Sequence, residues 1–297
     1  MSRTIIVTGA TGRQGGSVVR ALKGSDFEIL ALTRNTDSPA ALKLTENSSN
    51  VKLLQGDLDH ADTIFTEAKK LASNPIWGVF SVQANTPGTE GKVEEKQGKD
   101  FIDAAIAANV EFFVYSSIDR NGDNATPVPH WASKHRIEQY LAQQAAGSKM
   151  QYTVLRPTAF MEGLSNDFKG KALATMWRSI MKDRPLQMIA TKDIGHFAAL
   201  AFNNPHDFVG KYTSIAGSTM TYDEANEIFK KKTGKEMPVY PGVVGHVLTH
   251  AAKEFTVMLK WLKAEGTSAN VEECKRMHPG LTDFGTWLEN ESDFRKD

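Results

Sequence analysis

The sequence predicts a doubly wound α/β protein built on a parallel sheet. Three observations carry that prediction. Short β-branched runs alternate with amphipathic stretches of about 10 to 18 residues from residue 3 to about 157, the pattern of successive βαβ units. The first run leads straight into a glycine-rich turn that opens a helix. Right-handed crossovers between parallel strands then leave a doubly wound sheet as the leading architecture.

The elements follow in order. Strands are predicted at Thr4 to Thr8, Glu28 to Thr33, Val51 to Gln55, Ile76 to Val82, Phe112 to Ser116 and Tyr152 to Leu155. Ser38 followed by Pro39 reads as a helix N-cap with a first-turn proline. Behind the polar start Asp59, the residues Ile64, Phe65, Ala68 and Leu71 fall at helical spacing. A longer helix is expected over Val93 to Ala108, with Phe101, Ile102, Ala105 and Ile106 on one face. After about residue 157 the alternation loosens, "LRPTAFMEGLSNDF" is rich in turns, and helical stretches predominate. The run "FKKKTGK" from Phe229 to Lys235 reads as a solvated helix end stopped by Gly234.

Composition narrows the function classes. The 297 residues are 40% hydrophobic and 24% charged, with 35 basic against 35 acidic side chains, so the formal charge is zero. A chain of this length buries roughly 75% of its unfolded surface without a staple. The lone Cys274 excludes an internal disulfide framework and a four-cysteine zinc site, and it fits a reducing compartment. No run of about 18 apolar residues is present and the N-terminus enters a strand directly, so a cytoplasmic protein without membrane spans is expected. Zero net charge argues against direct nucleic-acid binding, which needs a basic face. The sequon at Asn47 is read as chance in such a compartment. "HVLTH" sets His246 and His250 at metal-ligand spacing, but the glutamate of the zinc-protease motif and a third ligand are both missing, so no metal site is expected.

The strongest local signal is "TIIVTGATGRQGGSVVRAL", where Gly9, Gly12 and Gly15 form G-x-x-G-x-x-G between a strand and a helix. Gly9 permits a tight turn, Gly12 lets a pyrophosphate approach the backbone, and Gly15 allows close helix-to-strand packing. Free N–H groups and the positive end of the helix then face the phosphates. Thr11, Arg13 and Gln14 in the same turn count as cofactor contacts. A tight turn that binds nothing is the plain alternative. The second strand ends "LALTRNT", which sets Arg34 where an acidic residue would accept from the 2′-OH of NAD; a guanidinium there suits the 2′-phosphate of NADP, and Arg13 can reach the same group. NADP(H) is therefore the expected cofactor. In "QGDLDH", Asp57 and Leu58 are candidates for the adenine, with Asp57 as turn former the alternative.

These motifs, with "EKQGKDFIDAAIAANVEFFVYSSI", "HWASK", "LRPTAFMEG" and "TDFGTWLENESDF", resemble the NmrA-like branch of the atypical short-chain dehydrogenases/reductases in order and spacing over nearly the whole chain. The resemblance implies a Rossmann NADP(H)-binding domain over residues 1–157 and a smaller α/β substrate or partner domain over 158–297, the chain being free to re-enter the first, with the cofactor cleft between them. It also implies a division of function. Some members are reductases of small, often aromatic substrates, whereas others act as redox sensors or regulators through a protein partner. A homodimer is left open.

The resemblance assigns the remaining site residues. Where typical members carry Tyr-x-x-x-Lys, this chain has His130 and Lys134, on one helix face at i and i+4. Lys134 is expected to hold the nicotinamide ribose. His130 is a candidate proton donor or a plain helix-start residue after Pro129. Val82, Gln83 and Ala84 are expected under the pyrophosphate and ribose, Ser116 and Ser117 beside the nicotinamide, and Pro157, Thr158 and Phe160 around its carboxamide and ring. Trp131, Phe160, Met161, Phe168, Met176, Trp177 and Met181 form either a wall for an aromatic substrate or ordinary core. The function expected is an NADPH-dependent reductase of a small carbonyl, imine or activated alkene, with a non-catalytic NADP(H) sensor as the alternative.

Overall fold

The structure is a computed structural model that describes residues 3–86, 88–241 and 252–295. His246 and His250 lie outside the described residues. In chain order the elements are β1 (Arg3–Val7), α1 (Arg13–Leu22), β2 (Phe27–Thr33), α2 (Pro39–Thr45), β3 (Val51–Gln55), α3 (Ala61–Leu71), β4 (Ile76–Ser81), α4 (Lys92–Ala107), β5 (Phe112–Ser116), α5 (Pro129–Ala146), β6 (Gln151–Pro157), β7 (Ala159–Phe160) and α6 (Phe168–Met176). There follow β8 (Leu186–Ile189), α7 (Thr191–Asn203), α8 (Pro205–Phe208), β9 (Tyr212–Ile215), β10 (Ser218–Met220), α9 (Tyr222–Thr233), α10 (Lys253–Glu265), α11 (Val271–Met277) and α12 (Phe284–Asn290).

A seven-stranded sheet has the order β3-β2-β1-β4-β5-β6-β9, and its first six strands pair in parallel. The order reverses between β1 and β4, which makes the C-terminal ends of those strands the switch point of a doubly wound fold. Every residue of β2 is buried, as expected where helices cover both faces. On one face Ile6, Leu30, Phe113 and Val154 pack with Ile64 and Phe65 of α3, Phe101 and Ile102 of α4, and Ile137 of α5. The other face carries the aromatic cluster Phe27, Trp77, Phe112 and Phe202, with Trp77 stacked on Phe27 at 5.9 Å. There α7 presses on α1: a Cβ added at Gly195 would lie 2.4 Å from the Ser17 backbone.

The chain forms two compact units: Met1–Ile118, Pro129–Arg156 and Lys192–Thr213 make the first, and Asp119–Val128, Pro157–Thr191 and Ser214–Asp297 the second. The second unit holds a three-stranded sheet of order β10-β8-β7, in which β10 and β8 are antiparallel and β7 and β8 parallel. Its longest described helices include α9, opened by a reciprocal Thr221–Glu224 capping box and closed by Gly234 at φ 78°, the predicted stop. Met161, Met176, Trp177 and Met181 are fully buried core of this unit. Phe168 instead is 63% exposed and lies against Tyr240 at 5.5 Å. Of the apolar residues singled out in the sequence, these four are therefore interior of this unit and Phe168 lies at its surface. Among the described residues no helix is long and apolar enough to cross a membrane.

Candidate functional site

The site begins where β1 runs into α1. Thr8 clamps this end of the sheet: its hydroxyl donates to the Val82 carbonyl at 2.9 Å and accepts from the Val82 N–H at 2.8 Å. The chain then turns sharply at Gly9, whose φ of 58° lies in the left-handed region, and the Gly12 N–H donates back to the Gly9 carbonyl at 2.9 Å. Gly15 is where helix and strand touch, because a Cβ there would sit 2.3 Å from the Thr8 carbonyl oxygen.

Gly12 differs from its neighbours. It is the exposed N-cap of α1, with an ordinary extended backbone and no side-chain cap, and an added Cβ would meet only the Gly9 carbonyl at 3.2 Å. The first turn of α1 holds no acidic residue, so its leading N–H groups and the positive end of the dipole stay open to an anion. Thr11 and Arg13 are exposed beside it. Arg34, also exposed, follows β2 directly, and neither arginine makes an ion pair among the described residues.

At the other strand ends the predicted residues fall into two kinds. Asp57 is half-buried and accepts from the Asp59 N–H at 3.1 Å, so it shapes its own turn, and Leu58 beside it is half-buried. Val82 and Gln83 are buried while Ala84 is exposed. Gln83 donates to the Ser81 hydroxyl at 2.9 Å, but its carbonyl oxygen has no partner. Ser116 donates to the Gln14 side-chain oxygen at 2.6 Å, tying the end of β5 to the glycine turn. The next hydroxyl, Ser117, is buried without a hydrogen-bond partner. Buried polar atoms left unpaired are costly, so the Gln83 carbonyl and the Ser117 hydroxyl are acceptor and donor groups that call for a polar partner.

Helix α5 brings the last two residues. Lys134 is buried, with its Nζ 2.8 Å from the Glu94 carboxylate and 5.8 Å from the centre of the Tyr115 ring. Its ammonium makes no well-formed hydrogen bond, which leaves donors for a ligand. His130 is half-buried at the second position of α5, its ring edge-on to Trp131 at 6.1 Å, and its carbonyl accepts from Ser133 at 3.0 Å. Pro157, Thr158 and Phe160 belong to the second unit. There Pro157 ends β6, the Thr158 N–H donates to the Ile215 carbonyl at 3.1 Å, and Phe160 is a half-buried residue of β7.

Sequence reasoning missed Glu94. An acid in the first turn of α4 reads as an ordinary complement to the helix dipole, and nothing local says that it is buried and faces α5.

A glycine turn, an open helix N-terminus at the switch point and a lysine held by a buried carboxylate define the class of protein as a doubly wound α/β protein built around its first βα turn. The NmrA-like family profile matches residues 1–283, and the chain belongs to that family. It is 27% identical, over 266 residues, to the NmrA-like family domain-containing oxidoreductase hkm9 of Aspergillus hancockii, covering 81% of this chain and 75% of that one. Two solved structures show the same fold. The first is NmrA, a negative transcriptional regulator, in complex with NADP (TM-score 0.72, 18% identity, 98% of this chain and 95% of that one). The second is triphenylmethane reductase from Citrobacter sp. in complex with NADP(H) (TM-score 0.73, 16% identity, 96% of this chain and 98% of that one).

Proposed function

We propose that this protein binds NADP(H) on its glycine turn and uses it as a reductase of a small carbonyl, imine or activated alkene. The observation that carries the reading is Gly12. An added Cβ there would meet a single atom, the Gly9 carbonyl oxygen at a tight 3.2 Å, and the position is an exposed glycine at an uncapped, acid-free helix N-terminus, an arrangement that suits the close approach of a pyrophosphate. The open carbonyl of Gln83, the hydroxyl of Ser117 and the ammonium of Lys134 suit the amide and hydroxyl groups of a nicotinamide riboside. Relatives support it too, being named oxidoreductases or crystallised with NADP.

In this reading Gly9, Thr11, Gly12 and the first turn of α1 take the pyrophosphate. Arg13 and Arg34 take the 2′-phosphate, and Asp57 and Leu58 border the adenine. Val82, Gln83, Ala84, Ser116 and Ser117 border the nicotinamide half. When bound, the reduced cofactor supplies a hydride to the substrate. Lys134 holds the ribose, and His130 gives the proton that completes the reduction.

The reading is tested by calorimetric titration of NADP and NAD into wild type and Arg34→Ala. Wild type is expected to prefer NADP. Arg34→Ala should lose about 10- to 150-fold in NADP affinity, the loss of one charge-assisted phosphate pair of roughly 1.5–3 kcal/mol, with little change for NAD. NmrA has been crystallised with NAD as well as with NADP, so the comparison discriminates; equal wild-type affinities would remove the phosphate role of both arginines. A second reading, a cofactor-dependent regulator acting through a protein partner, is favoured by the likeness to NmrA over 98% of this chain.

A further inference from the structure

Glu94 occupies the first turn of α4 and is fully buried. One carboxylate oxygen accepts from the Ser133 hydroxyl at 2.7 Å, and the other lies 2.8 Å from Lys134 Nζ. The backbone is shaped to make this contact. Gly91, which caps α4, has φ 77°, and a Cβ on it would come within 2.7 Å of the Ser133 hydroxyl. Only a glycine lets α4 approach the Ser133–Lys134 step so closely.

Stability does not call for the pair. Desolvating two ions cancels most of their attraction, and apolar side chains of similar volume commonly serve as well. The helix dipole does not require it either, because Glu95 is the next residue and pairs at the surface with Lys99 and Arg136. Among the described residues Lys134 faces the Glu94 carboxylate from α4 and the Tyr115 ring from β5, and Glu94 is the carboxylate that balances the ammonium.

We propose that Glu94 is a specificity-determining residue that sets the relative affinity of the site for oxidised and reduced cofactor. It does so by cancelling the charge of Lys134. The inference rests on the reading above, in which Lys134 holds the nicotinamide ribose. An oxidised nicotinamide ring is cationic and a reduced one is neutral. An unbalanced ammonium beside the ring repels only the oxidised form, whereas a balanced pair treats the two forms nearly alike. Glu94 touches no part of the cofactor in this scheme; it acts through Lys134.

The experiment measures dissociation constants for NADP+ and NADPH on wild type, Glu94→Gln, Lys134→Met and the double variant. In Glu94→Gln the ratio of the NADP+ constant to the NADPH constant should rise roughly tenfold. In Lys134→Met, which leaves the carboxylate alone, the ratio should fall by about the same factor even though both affinities weaken. With both charges removed it should return to within about threefold of wild type. A merely structural Glu94 would weaken both forms together and leave the ratio still. Should Glu94→Gln not fold, the Lys134→Met and double variants still decide, since an unmoved ratio in Lys134→Met overturns the inference. Wild type that binds neither form overturns the cofactor reading and this inference with it, whereas binding with unmoved ratios overturns this inference alone.

Discussion

Gly12 and Gly15 sit three residues apart in one turn, and the space around them separates what glycine does for the fold from what it does for a ligand. At Gly15 an added Cβ meets the Thr8 and Gly9 backbone at 2.3 and 2.4 Å, where no side-chain movement relieves it. Gly15→Ala is expected to lower stability by about 2 kcal/mol or more, read from thermal or urea unfolding. At Gly12 the backbone is extended and an added Cβ meets one atom, the Gly9 carbonyl oxygen, at a tight 3.2 Å that a shift of a few tenths of an ångström relieves, so Gly12→Val should still fold and lose less stability than Gly15→Ala. The same variant should lose NADPH binding, followed by nucleotide fluorescence, because its side chain fills the space against the helix N-terminus. A folded Gly12→Val that binds at wild-type strength would make the turn structural only.

At the scale of elements, the edge of the sheet nearest β3 is tied together by one carboxylate. Glu28 of β2 accepts from the Thr4 hydroxyl of β1 at 2.7 Å and from the Ser73 N–H and hydroxyl at 2.8 and 2.9 Å. It also pairs with Lys52 of β3 at 2.6 Å. Burial opposes its ionisation, but Lys52, Thr4 and Ser73 outweigh that and hold its pKa at about 2, against 4.5 for a free glutamate. The folded value lies below the unfolded one, so the stabilisation is fully present above about pH 5 and is lost as pH falls from 4.5 towards 2. Its size is on the order of 2–3 kcal/mol, the linkage worth of such a shift in a largely buried carboxylate. Urea unfolding between pH 7 and pH 3 should show wild type losing more stability than Glu28→Gln. Parallel curves would place the acid sensitivity elsewhere.

For the whole molecule the open choice is between turnover and regulation, and His130 separates the two. In a reductase it provides a proton, so His130→Phe should leave NADPH affinity nearly unchanged and lower turnover by roughly 100-fold. A regulator has no chemistry to lose; there the same variant should be silent, and NADP(H) should shift partner affinity by the factor with which the partner shifts NADP(H) affinity. NADPH oxidation against a panel of aldehydes, quinones, imines and enones, with His130→Phe beside wild type, is the first measurement. Turnover that survives in His130→Phe takes this residue out of the mechanism. Wild type that oxidises NADPH with no member of the panel, together with a cofactor-dependent protein complex, favours the regulator.

The features legible in the sequence are those whose cause is local. All six predicted strands appear, displaced by at most two residues at an end, because a run of β-branched residues between turn formers is its own signal. The Ser38 cap, which accepts from the Ala41 N–H, and the Gly234 stop are local in the same sense, as are the glycine turn and Arg34. The short strands β7 to β10 escaped notice, since two to four residues carry too little periodicity, and β9 becomes the seventh strand of the sheet only by pairing across distant chain. The Gln14–Ser116 hydrogen bond spans 102 residues, and the unpartnered atoms of Gln83 and Ser117 exist only because tertiary packing buried them. Glu94 shows the division most clearly: helical spacing places it on α4, but whether it meets water or Lys134 is decided by how closely Gly91 lets α4 approach α5. Burial and ion pairing depend on what other segments bring near, and one segment's pattern carries no record of that.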